Sequence, residues 1–151
     1  MPLHPTQETQ ELVSLLSQLL AETYTIFLQT QNFHWNIEGI EFAAIHPFLE
    51  TQYDEYFQAI DLIAEQIRML GAKTPGSFAE FTQLSGFAIK PDVTDTTAML
   101  TTLAEQTVKI LGTLEAVQRT AEPLSTAVED LAIERQRAHE KHLWMLESMI
   151  K

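Results

Sequence analysis

Apolar residues in this chain recur at spacings of three and four over long uninterrupted stretches, and nowhere do they alternate in the two-residue period of a strand. That restricts the fold to packed helices. From Thr6 to about Trp35, Leu12, Leu15, Leu16, Leu19, Leu20 and Phe27 largely keep this spacing with no Gly or Pro between them, which predicts a long amphipathic helix. Asn36 and Gly39 are stop signals. Pro47 fits the first turn of a second helix that runs to Leu70, carries Ile60, Ile63, Ile67 and Leu70 as its apolar stripe, and ends at Gly71. Ser77 stands three residues before Glu80, a capping-box pattern for a short helix through about Leu84. Thr94 or Asp95 can cap a third long helix to about Arg119, and Pro123 fits the first turn of a fourth that ends near Met149. In a chain of 151 residues without internal repeats, these elements predict one all-α domain over residues 1–151. Its expected architecture is a four-helix bundle with a short extra helix in the connection between the second and third helices.

Charge and cysteine content remove several classes of function. Lys and Arg number 9 against 21 Asp and Glu, a formal charge of −12, which argues against a phosphate-binding surface because nucleic-acid affinity comes mainly from Lys and Arg displacing counterions. The absence of cysteine excludes disulfides, thiolate catalysis and iron–sulfur clusters. The segment Met1-Pro2-Leu3-His4-Pro5 lacks the basic and apolar regions of a signal peptide, and no apolar run approaches a membrane span. The expected location is the cytoplasm, with no membrane partner.

The second helix carries the unusual chemistry. At about 100° per residue, His46, Glu50, Asp54, Asp61 and Glu65 fall within an arc of roughly 100°. A solvated acidic stripe is the plain account of such a face. Yet the first cationic residue of the chain, apart from histidines, is Arg68, so these carboxylates have no local partner, and like charges four residues apart repel. A bound cation removes that repulsion. Asp61 and Glu65 can aim two carboxylates at one ion, and oxygen donors with an imidazole suit iron or manganese, with zinc a frequent substitute. His34 and His46 are the candidate imidazoles. His46 and Asp61 are 15 residues apart, roughly 22 Å along a straight helix, so they cannot share a metal within one chain. If both belong to one site, a second subunit must supply one half, most simply across a two-fold axis. The Glu-x-x-His motif of diiron bundles that complete their site within one subunit does not occur here.

These residues form a recognisable pattern. His34-Trp35-Asn36-Ile37-Glu38-Gly39, followed after five residues by Ile45-His46 and then Glu50, resembles the first signature of the Dps family, the mini-ferritins. Ile60-Asp61-Leu62-Ile63-Ala64-Glu65, ending at Leu70-Gly71, resembles the second. The spacings of 12, 15 and 4 between His34, His46, Asp61 and Glu65 match the family's ferroxidase ligands, and Gly76-Ser77-Phe78-Ala79-Glu80-Phe81 and Lys141-His142-Leu143-Trp144-Met145 are also similar. The resemblance covers essentially the whole chain. It implies a ferritin-like bundle assembled as a hollow dodecamer of tetrahedral symmetry, with dinuclear iron sites between two-fold-related subunits. The histidines would come from one chain and the carboxylates from the other. It further implies a ferroxidase that oxidises Fe²⁺, preferably with hydrogen peroxide, stores the ferric product as mineral and protects against oxidative stress. Gln66 stands where the family commonly has Arg after the ligand Glu, so that carboxylate loses a supporting partner.

Under this resemblance His34, His46, Asp61 and Glu65 are both the metal ligands and the catalytic residues, with Asp61 as the bridge and Glu65 completing the tighter site. Glu50 and Asp54 are candidates to nucleate mineral, with a solvated face an equal account. Glu122, Glu129, Asp130 and Glu134 open the fourth helix and are candidates for an acidic pore that draws in Fe²⁺ by its field, although the helix dipole alone favours acidic residues there. Trp35 and Trp144 are candidate aromatics near the site, for which core packing is the better account. His139 and His142 have a metal-compatible spacing on the fourth helix. His142, however, lies between Ala138 and Met145 on an apolar side, which predicts a hydrogen-bonded buried histidine. Two other functions compete with iron oxidation: a DNA-compacting structural protein, and a bundle that holds zinc without redox chemistry. The first ten residues carry no Lys or Arg and the chain ends Ser148-Met149-Ile150-Lys151, so direct DNA binding is not expected.

Overall fold

The computed structural model describes residues 5–151; Met1 to His4, and with them most of the N-terminal segment considered above for a signal peptide and a basic tail, lie outside the described residues. Five helices follow one another: α1 (Gln7–Asn36), α2 (Phe42–Met69), α3 (Phe78–Leu84), α4 (Thr96–Ala121) and α5 (Thr126–Ile150). Short polar side chains start four of them. The Thr6 hydroxyl accepts from the Thr9 N–H at 3.2 Å, Asp95 rather than Thr94 accepts from Ala98 at 3.0 Å, and Ser125 accepts from Val128 at 3.2 Å. Ser77 accepts from the Glu80 N–H, and the Glu80 carboxylate returns to the Ser77 hydroxyl and the Gly76 N–H, so the capping box closes one residue further out than the usual pattern.

Two helix starts differ from the sequence expectation. Gly39, at φ 105°, turns the chain so that its carbonyl receives the Phe42 N–H and the Glu41 carbonyl receives the Ile45 N–H. α2 therefore begins at Phe42, and Pro47 lies inside it, where it has no N–H to offer the Ala43 carbonyl. This earlier start sets His46 a full turn inside the helix. Pro123 likewise is not in α5: it sits in the turn between α4 and α5, and Ser125, with a hydroxyl to satisfy an orphan N–H, is the better start. Glu122 consequently ends α4 instead of opening α5.

α1 packs against α2, α3 and α4, α4 against α5, and α5 touches α2. Paired residues run in opposite order, Phe27 with Tyr53 and His34 with His46 on α1 and α2, Glu22 with Thr113 and Gln29 with Gln106 on α1 and α4. These neighbours are antiparallel. Leu12, Leu16, Leu19, Ile26 and Phe33 of α1 meet Leu49, Tyr56, Ile63 and Ile67 of α2 and Leu103, Ile110, Leu114 and Val117 of α4 in one core.

The long link from α2 to α4 is tied to the bundle by polar side chains of α1. Phe81 of α3 stacks on Tyr24 with ring centroids 4.9 Å apart. Beyond α3, the Gly86 N–H donates to Glu22 at 3.0 Å, the Lys90 N–H donates to Gln29 at 2.7 Å, and the Gln29 amide donates back to the Lys90 carbonyl at 3.1 Å. Glu22, only 1% exposed, also accepts from the Thr113 hydroxyl at 2.6 Å. Burial raises its carboxyl above the ordinary range, against the pull of these donors. A Cβ on Gly86 would stand 2.6 Å from Glu22 Oε2, so any side chain here would push the Glu22 carboxylate aside. Glu22→Ala takes the acceptor from the buried Thr113 hydroxyl and from the Gly86 N–H, and is expected to destabilise by about 2 kcal/mol, read as a lowered urea midpoint. An unchanged midpoint would remove the strap from the stability account.

Candidate metal centre

His34 lies at the end of α1 and His46 in the first turns of α2, and the short turn between these helices brings their rings into a stack with centroids 3.7 Å apart and planes 12° apart. Each ring is held by the other residue's backbone. His34 Nδ1 donates to the His46 carbonyl at 2.7 Å, and His46 Nδ1 donates to the His34 carbonyl at 2.7 Å. A carbonyl oxygen only accepts, so both Nδ1 atoms carry hydrogen, and in the neutral rings both Nε2 atoms are left as lone-pair donors. This is how metal-binding histidines are commonly prepared, with one nitrogen fixed by a backbone carbonyl and the other free. Two further rings complete the arrangement. Phe42 stacks on His46 at 4.6 Å and 19°, and Tyr53 meets His34 edge-on at 5.2 Å and 75°. Sequence reasoning missed both; the signal was Phe42 standing four residues before His46 and Tyr53 seven residues after it, the same helix face.

Asp61 and Glu65 lie further along α2, exposed, one turn apart. The Asp61 carboxylate, which accepts a hydrogen bond from protonated Glu65 and repels its charge, raises the Glu65 carboxyl above its ordinary value. A divalent cation competes for that proton. Metal binding at this pair, which needs both carboxylates ionised, is therefore expected to strengthen as pH rises through the raised Glu65 value; Co²⁺ binding that does not change with pH in the acid range would contradict this. Among the described residues no group of three or more His, Asp or Glu side chains is disposed to hold one metal ion within the chain. The histidine pair and the carboxylate pair are thus separate donor sets.

Glu50 and Asp54 are exposed on the same helix, and Tyr53 donates weakly to Glu50 at 3.5 Å. Asp130 and Glu134 are exposed on α5, Glu129 is half-buried in its first turn, and Glu122 belongs to the end of α4. The two tryptophans depart from the core placement: Trp35 is 61% exposed and Trp144 is 65% exposed. The helix phase explains both, since Phe33 and His34 take the inward positions at the end of α1 while His142 and Leu146 take those of α5.

His139 and His142 are buried, as the apolar setting of His142 led one to expect. His142 Nδ1 is 3.2 Å from the Tyr56 hydroxyl, and His139 stacks on Tyr56 at 5.6 Å. Arg135, also buried, forms a two-pronged pair with Glu55 and donates to His139 Nε2 at 3.3 Å. Burial lowers His142 to about 4 and, with Arg135 beside it, holds His139 well below the ordinary histidine range. Both rings are neutral core members at pH 7.

Residues 13–151 match the ferritin-like domain family. The chain is 30% identical over 148 residues to an uncharacterized low temperature-induced protein of Nostoc sp., spanning 96% of this chain and 83% of that one. It is 26% identical over 144 residues to the DNA protection during starvation protein of Brevibacillus brevis, spanning 94% and 97%. Among solved structures it is similar to the Dps protein from Vibrio cholerae O1, described as a member of a broad superfamily of ferritin-like diiron-carboxylate proteins, with TM-score 0.92 and 27% identity over 95% and 91% of the two chains. It is also similar to antigen TpF1 from Treponema pallidum, with TM-score 0.91 and 28% identity over 100% and 99%. The chain belongs to the Dps family of the ferritin-like superfamily.

Proposed function

We propose that this protein is an iron-storing ferroxidase that protects against oxidative stress by consuming Fe²⁺ and hydrogen peroxide together. The observation that carries this reading is the reciprocal clamp on His34 and His46, which leaves two free Nε2 donors that a purely structural histidine pair would not need. The proposed site forms across a two-fold axis, His34 and His46 from one subunit and Asp61 and Glu65 from another, within a homo-oligomer of dodecameric size. Iron is the substrate, and zinc can take its place without turnover.

Asp61 and Glu65 bind Fe²⁺ as carboxylates, Asp61 lying between the two metal positions. The imidazoles supply neutral donors whose orientation is fixed before the metal arrives, so little reorganisation opposes binding. Two ferrous ions give one electron each to one peroxide, which takes up two protons and leaves as two waters. Glu50 and Asp54 seed the ferric mineral on the inner surface, and Glu122, Glu129, Asp130 and Glu134 contribute a negative field at an entry. The net charge of −12 suits the gathering of cations and opposes direct DNA binding.

The test is anaerobic Fe²⁺ loading followed by stoichiometric peroxide, with ferric absorbance recorded and the product chromatographed. Fast oxidation with iron retained on the protein supports the reading. Oxidation no faster than in protein-free buffer overturns it. A gel shift at low salt without divalent cations is expected to show free DNA; a tight, salt-sensitive complex would favour a DNA-compacting protein.

A further inference from the structure

We infer that Phe42 and Tyr53 are positioning residues that hold the two histidines in register for metal, an assignment that rests on the proposed metal site. Phe42, His46 and His34 stack in that order with neighbouring centroids 4.6 and 3.7 Å apart, and Tyr53 meets His34 edge-on at 5.2 Å. Each imidazole has one hydrogen bond, at Nδ1, to a carbonyl. A single hydrogen bond fixes where Nδ1 points but leaves the ring free to tilt about that bond. Tilt is opposed by what lies against the two faces of the pair. The inner faces stop each other, Phe42 covers the outer face of His46, and the edge of Tyr53 closes the side of His34.

Each of these aromatics is itself braced in a way that suits the role. Phe42 is the first residue of α2 and is 42% exposed, a poor place for a large apolar ring unless the ring has work on His46. Tyr53 is half-buried and also meets Phe27 edge-on at 6.0 Å, a second ring contact that restrains it. Among the described residues its hydroxyl makes only the long bond to Glu50, which leaves the ring, not the hydroxyl, as the part that bears on His34.

The experiment is Co²⁺ titration of the assembled protein, followed by the visible absorption of the bound ion, for the native chain, Phe42→Leu, Tyr53→Leu, Tyr53→Phe and His34→Ala with His46→Ala. The two leucine variants keep apolar volume but lose the flat ring. They are expected to bind Co²⁺ roughly tenfold more weakly, in the range seen when support around a ligand is removed, with an altered absorption band and a melting temperature close to native. Tyr53→Phe, which keeps the ring, is expected to restore native affinity and spectrum. Native binding and spectrum in both leucine variants would overturn the positioning role while leaving the metal site standing. A native protein that binds Co²⁺ no better than the double alanine variant would overturn the site and the positioning role together. Weak binding in Tyr53→Phe as well as Tyr53→Leu would also overturn it for Tyr53, because the hydroxyl and not the ring would then be responsible.

Discussion

Asp61→Asn combined with Glu65→Gln is expected to weaken Co²⁺ and Fe²⁺ binding by at least about a hundredfold and to leave the fold intact. Loss of a residue that merely supports a ligand costs 10–100-fold in affinity by order of magnitude, and here both charged ligands go. Asn and Gln retain the shape and one oxygen each, so the loss isolates charge from bulk. The fold is spared because both side chains are exposed on α2, their interaction is with each other, and removal of two like charges one turn apart relieves repulsion. Native-like metal binding in the double variant would mean that the acidic face is a solvated helix surface. A loss of folding would mean that the pair has a structural role the exposed positions do not suggest.

Acid is expected to remove about 3 kcal/mol of stability from the metal-free protein between pH 7 and pH 4 through His142 alone. In the folded chain burial lowers its imidazole to about 4 from an ordinary 6.5. The unfolded chain therefore takes the proton first, so stability is full above about pH 6.5 and declines as pH falls toward 4. His139, buried beside Arg135 and lowered further, adds in the same direction. Glu22 opposes them: burial raises its folded value, so it gains relative stability as pH falls through that raised value toward its ordinary 4.5. The histidines are expected to win, because two of them act in the same direction against one carboxyl. His142→Gln retains a hydrogen-bonding group for the Tyr56 hydroxyl and removes the titration, so urea midpoints at pH 7 and pH 4.5 are expected to differ less in this variant than in the native chain. Equal pH slopes in the two proteins would contradict the assignment.

Much of the molecule follows from local rules that act within a few residues. Ser77 with Glu80, the stop at Gly71 and the apolar spacings of α1 and α2 each depend on neighbours one or two turns away, and α1, α3 and α4 form where those signals lie. Prolines were misleading for a physical reason. Pro47 and Pro123 both tolerate a helix's first turn, but the Gly39 turn starts α2 earlier and the Ser125 hydroxyl starts α5 later. The separation of His46 from Asp61 could be computed from helical rise alone. By contrast, the clamp between His34 and His46 depends on the turn that joins two helices, and no pattern within either helix encodes it. The same is true of Phe42 and Tyr53, whose spacing was visible but whose ring contacts were not. Trp35 and Trp144 show the opposite limit: their size favoured the core, and helix phase put them outside.

If one metal site draws its donors from two copies of this chain, mixing two proteins that each lack one donor set restores it. One carries His34→Ala with His46→Ala, the other Asp61→Asn with Glu65→Gln, and neither is expected to bind Co²⁺ tightly alone. Random reassembly makes about half of the two-fold pairs mixed, and each mixed pair regains one of its two sites, so the account predicts about a quarter of the native number of tight sites. No tight sites in a verified mixed assembly would contradict it, because donors that must lie on the same chain cannot be restored by exchange between chains.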